Sequence, residues 1–273
     1  MALMNKLISV LPLLVSVFCR AASAETVRWI GGPAEPQWSS AENWDASRVP
    51  GPLDDVVIAG KQAVILAEGV GEIGRLDVGG ATGNGGLNVN PGAFLHAAGV
   101  IIGASSASAE SPSYFSQSDG EFLVRGDFVL GGEGSSAQAF FSSGRLTIDG
   151  TLVLGPSGAE PSVLAINGGG GAIAAREVSI GSQGALVFDF LGGQSLKTLV
   201  ATEGIDLAEN STLTVRNAAQ VRPGETYILL SGQRLSGKFS QINLEGFDPS
   251  VRVVVEHDTG LGQVLLKTAQ VDD

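Results

Sequence analysis

The acidic and basic residues that recur at matched positions of a repeat are this chain's best candidates for chemistry. Asp127 and Glu177 each stand four residues before a glycine that closes a short apolar strand. If those strands stack, the column at that position reads Arg75, Gly99, Asp127, Thr151, Glu177. The two acids are then two rungs apart, about 9.6 Å at ordinary strand spacing. Paired carboxylates for glycoside hydrolysis sit about 5–9.5 Å apart. Arg125, Arg145 and Arg176 lie nearby in sequence, so this group could bind or cleave an acidic sugar chain. A solvated ladder of mixed charges explains the same residues without chemistry, and that reading is preferred.

Trp29, Trp38 and Trp44 invite a second reading, because indole rings cover sugar faces well. Large aromatics are equally efficient at sealing an open end of a core. Trp29 and Trp44 are expected to seal, and Trp38 to be the exposed exception that contacts ligand. Of the two histidines, His96 lies in a strand and His257 at a turn edge, where neighbours on a strand point to opposite faces. Asp54-Asp55 follows Pro-Gly-Pro-Leu and reads as a turn whose carboxylates bind local amides. No His or Cys spacing suits a metal, and Asn167 to Gly171 lacks the Lys-Ser/Thr of a phosphate loop. No catalytic residue, metal or cofactor is therefore assigned outright.

Positioning these groups falls to a repeat. Strands ending in Gly79, Gly103, Gly131, Gly155 and Gly181 return every 24 to 28 residues. Three short strands and three turns in a period near 25 suit one coil of a parallel β-helix. The expected fold is all-β: a short right-handed parallel β-helix with capping segments at both ends. The expected division is a leader at 1–24, a Trp-rich cap at 25–55, solenoid repeats at 56–203, a β cap at 204–267 and a tail at 268–273. Turn glycines are expected where the corner needs φ > 0.

Composition agrees. The 273 residues include 39 Gly, and only 16% are charged, which disfavours surface helices. A net charge of −12 gains nothing from counterion release on a phosphate backbone, so no nucleic-acid partner is expected. Residues 1–24 have a basic start at Lys6, an apolar run Leu7 to Phe18 and Ala22-Ser23-Ala24, the pattern of a cleaved secretory leader. Cleavage there removes the sole cysteine, Cys19, and leaves no apolar run long enough to span a membrane.

Trp29-Ile30-Gly31-Gly32, Trp38, Asn43-Trp44 and Val49-Pro50-Gly51-Pro52-Leu53-Asp54-Asp55-Val56-Val57-Ile58 form one recognisable string. It resembles the opening of bacterial secreted β-helix proteins of the autotransporter-passenger type. The Ile-Gly turns and the block Gly224 to Phe239 are similar to the repeats and closing strands of such passengers. Residues 44–103 also resemble the extracellular domain family named for its eight glycines. These resemblances imply an extracellular β-solenoid, and no particular activity. The segment Thr268 to Asp273 has no barrel-type strand, so release, or retention by another component, is expected. The chain thus reads as a secreted or cell-surface structural or adhesive protein. The alternative is a polysaccharide-binding or polysaccharide-degrading β-helix, and the expected partners are extracellular polysaccharide or cell-surface components.

Overall fold

Period-two alternation in the glycine-closed strands sends one side chain in two to a shared interior. Leu76 and Val78, Val100 and Ile102, Phe128 and Leu130, Leu152 and Leu154, Val178 and Ile180 are all buried. The residues between them, such as Val129 and Val153, point outward and are half-buried. Full burial of one such side chain contributes about 1.5–3 kcal/mol, and no single coil could enclose it alone.

The computed structural model describes residues 24–271 apart from 33, 35, 61–62, 81–82, 105–111, 133, 157–158, 169–170, 191–196 and 220. The expected leader, but for residue 24, lies outside the described residues, as does the end of the expected tail. Each coil supplies three strands, which stack as three parallel faces around the core. The first face opens with β1 (Thr26–Arg28), β2 (Asp55–Ile58) and the second halves of β4 (Gly69–Val78) and β6 (Phe94–Ile102). It continues through β9 (Phe128–Leu130), then the second halves of β11 (Arg145–Leu154), β13 (Ala172–Ile180) and β15 (Leu199–Leu207), to β18 (Arg234–Gly237).

The second face stacks β3 (Ala63–Leu66), β5 (Gly86–Val89), β7 (Ser113–Gln117) and β10 (Ala137–Phe141). Above them come β12 (Ser162–Asn167), β14 (Gly184–Asp189), β16 (Thr212–Arg216) and β19 (Gln241–Leu244). The third face uses the first halves of β4, β6, β11, β13 and β15, with β8 (Glu121–Val124) between β6 and β11, and then β17 (Thr226–Ser231). The result is a parallel β-solenoid of about seven turns, each of about 26 residues.

The five glycines form the expected column. The N–H of each donates to the carbonyl closing the strand one coil below, from Gly79 to Ile58 through Gly181 to Leu154, at 2.7–2.9 Å. Their reasons differ. Gly131 has φ +90°, where a side chain is strained. Gly181 has no positive φ, contrary to the expectation for turn glycines. It must be glycine because a Cβ there would lie 2.2 Å from the Gly155 carbonyl oxygen.

The expected boundary at 203 is corrected by the strand pairing. Parallel stacking continues through β15, β16, β17, β18 and β19, so residues up to Leu244 belong to coils rather than to a cap. The corner after β15 is filled by Ala208, whose N–H donates to Ile180 in the same column at 2.8 Å. The coil turns there without a glycine to mark it. Among the described strands, the antiparallel hairpin of β20 (Val251–Asp258) and β21 (Gln263–Gln270), joined to β17, is the one that departs from the parallel stack.

At the amino end all three indoles are inside. Trp44 packs edge-on to Trp29 and Trp38, with ring centroids 5.0 and 4.9 Å away, and its Nε1–H donates to the Trp38 carbonyl at 2.8 Å. Sealing by Trp29 and Trp44 is as expected. The exposed role expected for Trp38 is wrong: its relative exposure is 1%. Gln37 forms a parallel bridge to Ile65, and the Trp38 N–H donates to the Ile65 carbonyl, which draws that ring over the first coil.

At the carboxyl end β20 leans over the last coil, with Val253 and Val255 against the core. His257 is the second-last residue of this strand, and its Nε2 accepts the Phe239 N–H at 3.1 Å. Burial, and then the Lys238 ammonium, hold the His257 pKa below its usual value. The unfolded chain therefore binds this proton more readily, and stability must rise with pH across that interval. The contribution is complete above about pH 6.5, the unperturbed value, and is lost as pH falls through the lower folded value. Thermal melts from pH 7.5 to 5 should show wild type losing stability relative to His257→Gln. Parallel curves for the two proteins would remove His257 from the account.

Candidate functional site

The first-face column carries the acids singled out from the sequence, and the pairing register places them as expected. Arg75 stands opposite Gly99, Thr151 opposite Glu177, Glu177 opposite Gly204 and Gly204 opposite Arg234. Asp127 sits one residue before β9, whose Phe128 pairs with Val100 and Leu152, so it falls between Gly99 and Thr151. Glu177 is half-buried and Asp127 is exposed.

Both carboxylates are occupied. Asp127 Oδ1 accepts the Thr151 N–H of the next coil at 2.8 Å. The same contact recurs lower in the stack, where Asp55 Oδ1 accepts the Arg75 N–H at 2.8 Å. In each case the residue before the donor is a glycine, Gly150 or Gly74, and a Cβ there would lie 2.5 Å from that carboxylate oxygen. An aspartate leading one strand thus caps the corner of the coil above. Glu177 instead accepts from Arg234 at 3.0 Å, across Gly204, while the other Arg234 nitrogen binds Asp206 at 3.0 Å. Gly204 leaves the guanidinium room to lie flat, since a Cβ would meet its Cζ at 2.5 Å.

The three arginines do not converge on these acids. Arg125 pairs with Glu72 at 3.3 Å, on the third face. Arg145 opens β11 on that face, and both Arg145 and Arg176 are exposed. Arg176 lines a shallow depression of about 250 Å³ with Thr147, Asp149, Ala174 and Thr202. A larger groove of about 520 Å³ lies near the amino end, between Arg28, Ile30, Asp45 and Asp77. Trp38 belongs to neither, because its ring is enclosed.

The Asp54-Asp55 pair divides between two structural tasks. Asp54 is buried, accepts the Gly51 N–H at 2.7 Å and pairs with Arg48. Hydrogen bonding from Arg48 holds its carboxyl below the ordinary carboxylate range. Arg48 also reaches Glu25 at 2.8 Å, tying the first residues of the cap to the turn. His96 lies tilted against Phe94, ring centroids 4.4 Å apart, on the outer third face. Among the described residues, no three His, Cys, Asp or Glu side chains are grouped to hold a metal ion.

One device escaped sequence reasoning: the aspartate that caps the coil above it. Its signal is legible as Asp before an apolar triplet, Asp55-Val56-Val57-Ile58 and Asp127-Phe128-Val129-Leu130, answered one coil later by Gly74-Arg75-Leu76 and Gly150-Thr151-Leu152. Compared with known proteins, the chain matches no family model, and no curated protein or solved structure is significantly similar to it.

Proposed function

We propose that this chain is a non-catalytic, secreted or cell-surface β-solenoid whose outer faces serve a structural or adhesive role. The observation that carries this reading is the engagement of the candidate acids. Asp127 is committed to an amide of the next coil and Glu177 to Arg234 two coils above, so both tie coils of the stack together. The leader-like residues 1–24 and the resemblance of the amino-terminal string to secreted β-helix proteins support an extracellular destination.

Two measurements test it. Edman sequencing or intact mass of the exported protein should give Glu25 as the first residue, with no cysteine retained; material still carrying Cys19 would remove the export step. In the producing cells, deletion of the gene should weaken surface attachment, and an Asp127→Asn/Glu177→Gln protein should restore it. If that protein folds normally yet restores nothing, the acids act on a ligand.

That second reading, a polysaccharide-binding or polysaccharide-degrading face, rests on one observation. Arg176 stands exposed at the rim of a depression lined by Thr147, Asp149, Thr202 and Glu203, hydrogen-bonding groups suited to sugar hydroxyls. Arg176→Ala should then weaken retention on a polysaccharide column while leaving the melting curve unchanged. Unaltered retention would exclude that face.

A further inference from the structure

The two ends of the stack are finished differently. At the amino end the outermost strand of the first face is β1, three residues long, and it runs directly into the buried tryptophan cluster. Short, covered edges of this kind resist pairing with another chain. At the carboxyl end the outermost described strand of the third face is β20, eight residues long and, among the described residues, paired only with β21. Neither proline, glycine nor lysine occurs within its own eight residues. Its outward side shows Arg252, Val254 and Glu256, with Val254 47% exposed. Nearby, Ile242 and Leu244 continue the buried rows of Leu213 and Val215, yet each is 38% exposed.

We propose that β20 pairs with β20 of a second copy of this chain, giving a tail-to-tail dimer with a twofold axis at Val254. The charges of the strand select this arrangement. An antiparallel pair that keeps both outer sides on one surface must place its axis on a residue, because side chains alternate with period two. With the axis at Val254, Arg252 faces Glu256 of the second copy, Glu256 faces its Arg252, and the exposed valines face each other. On the inner side Val253 then meets Val255. An axis at Val255 sets Val254 against Glu256, and an axis at Val253 sets Val254 against Arg252. Only the first register sets the exposed valines against each other and both Arg252–Glu256 pairs in opposition; the remaining outward acid, Asp258, then stands opposite Ser250, beyond the strand. Glu256 already binds Lys267 at 2.6 Å within its own chain, and that contact holds it on the outward side of the strand. Such an interface is self-complementary and closes after two copies. The sealed amino end offers no matching edge, so the contact does not propagate into a fibre.

The test is a charge swap read by analytical ultracentrifugation of the purified chain at about 100 µM, where a micromolar Kd fills the dimer. Wild type should sediment as a dimer. Arg252→Glu places like charges at both symmetry-related pairs and should weaken the dimer at least about tenfold, as should Glu256→Arg. The double variant Arg252→Glu/Glu256→Arg should restore it. Mixing the two single variants should give a heterodimer, since each then supplies the charge the other lacks. Circular dichroism and melting curves of each variant establish that the monomer is folded. A monomeric wild type overturns the proposal, and so does a wild-type dimer whose stability ignores both single variants or whose single variants fail to pair on mixing.

Discussion

Trp44→Ala should cost about 3–5 kcal/mol, the range for removing a large buried aromatic. Trp44 has a relative exposure of 0%, touches the rings of Trp29 and Trp38, and gives its indole N–H to the Trp38 carbonyl. Truncation opens a cavity between two indoles that have no other stacking partner of their size, and leaves the Trp38 carbonyl short of a donor. Trp44→Phe keeps most of the contact area and loses the hydrogen bond, so about 1–2 kcal/mol is expected. Urea denaturation followed by circular dichroism checks both values. Equal midpoints for wild type and Trp44→Ala would mean that the indoles do not seal the first coil.

Gly181→Ala should be nearly as damaging, about 3 kcal/mol, although it adds one methyl group. The added Cβ would sit 2.2 Å from the Gly155 oxygen and 2.9 Å from the Gly155 carbonyl carbon and the Pro156 Cα. All three atoms are backbone of the coil below, so no rotamer change can relieve the overlap. Relief means prising apart two coils whose ordinary strand spacing is about 4.8 Å. The next residue in the column, Ala208, already carries a Cβ, and Ala208→Gly should cost no more than about 1 kcal/mol. Chemical denaturation of the two variants side by side decides the matter. If Gly181→Ala unfolds within error of wild type, the close approach of those coils is wrong.

Residues 56–181 were the most legible part of the fold. There, from Gly79 onward, each first-face strand is closed by a glycine whose corner either has φ > 0 or leaves no room for a Cβ. Legibility failed at Ala208, where the same corner tolerates a methyl group and the period lost its marker. The coils from β15 to β19 consequently read as a cap. Trp38 was misjudged for a different reason. Three tryptophans within 16 positions announce a cluster, but which ring lies deepest depends on the bridge between Gln37 and Ile65, a contact no local pattern encodes. The charged column was located correctly from spacing alone. Its occupation was not, because Arg234 lies two coils beyond Glu177 and reaches it only where Gly204 leaves space between them.

The sealed end of the stack is also the end made first. Residues paired between neighbouring coils of the first face lie only 20 to 30 positions apart in sequence, from Val56 and Leu76 to Ile205 and Leu235. Contacts this local close quickly, since each costs only the entropy of a short loop. Once the indoles have nucleated the first layer, every later coil meets a template completed moments earlier. The chain can then wind as it emerges, with little more than one coil unwound at a time. Truncation after the third or any later complete coil should leave a folded stub, whereas removal of the first 30 residues of the cap should leave the remaining coils with nothing to wind upon.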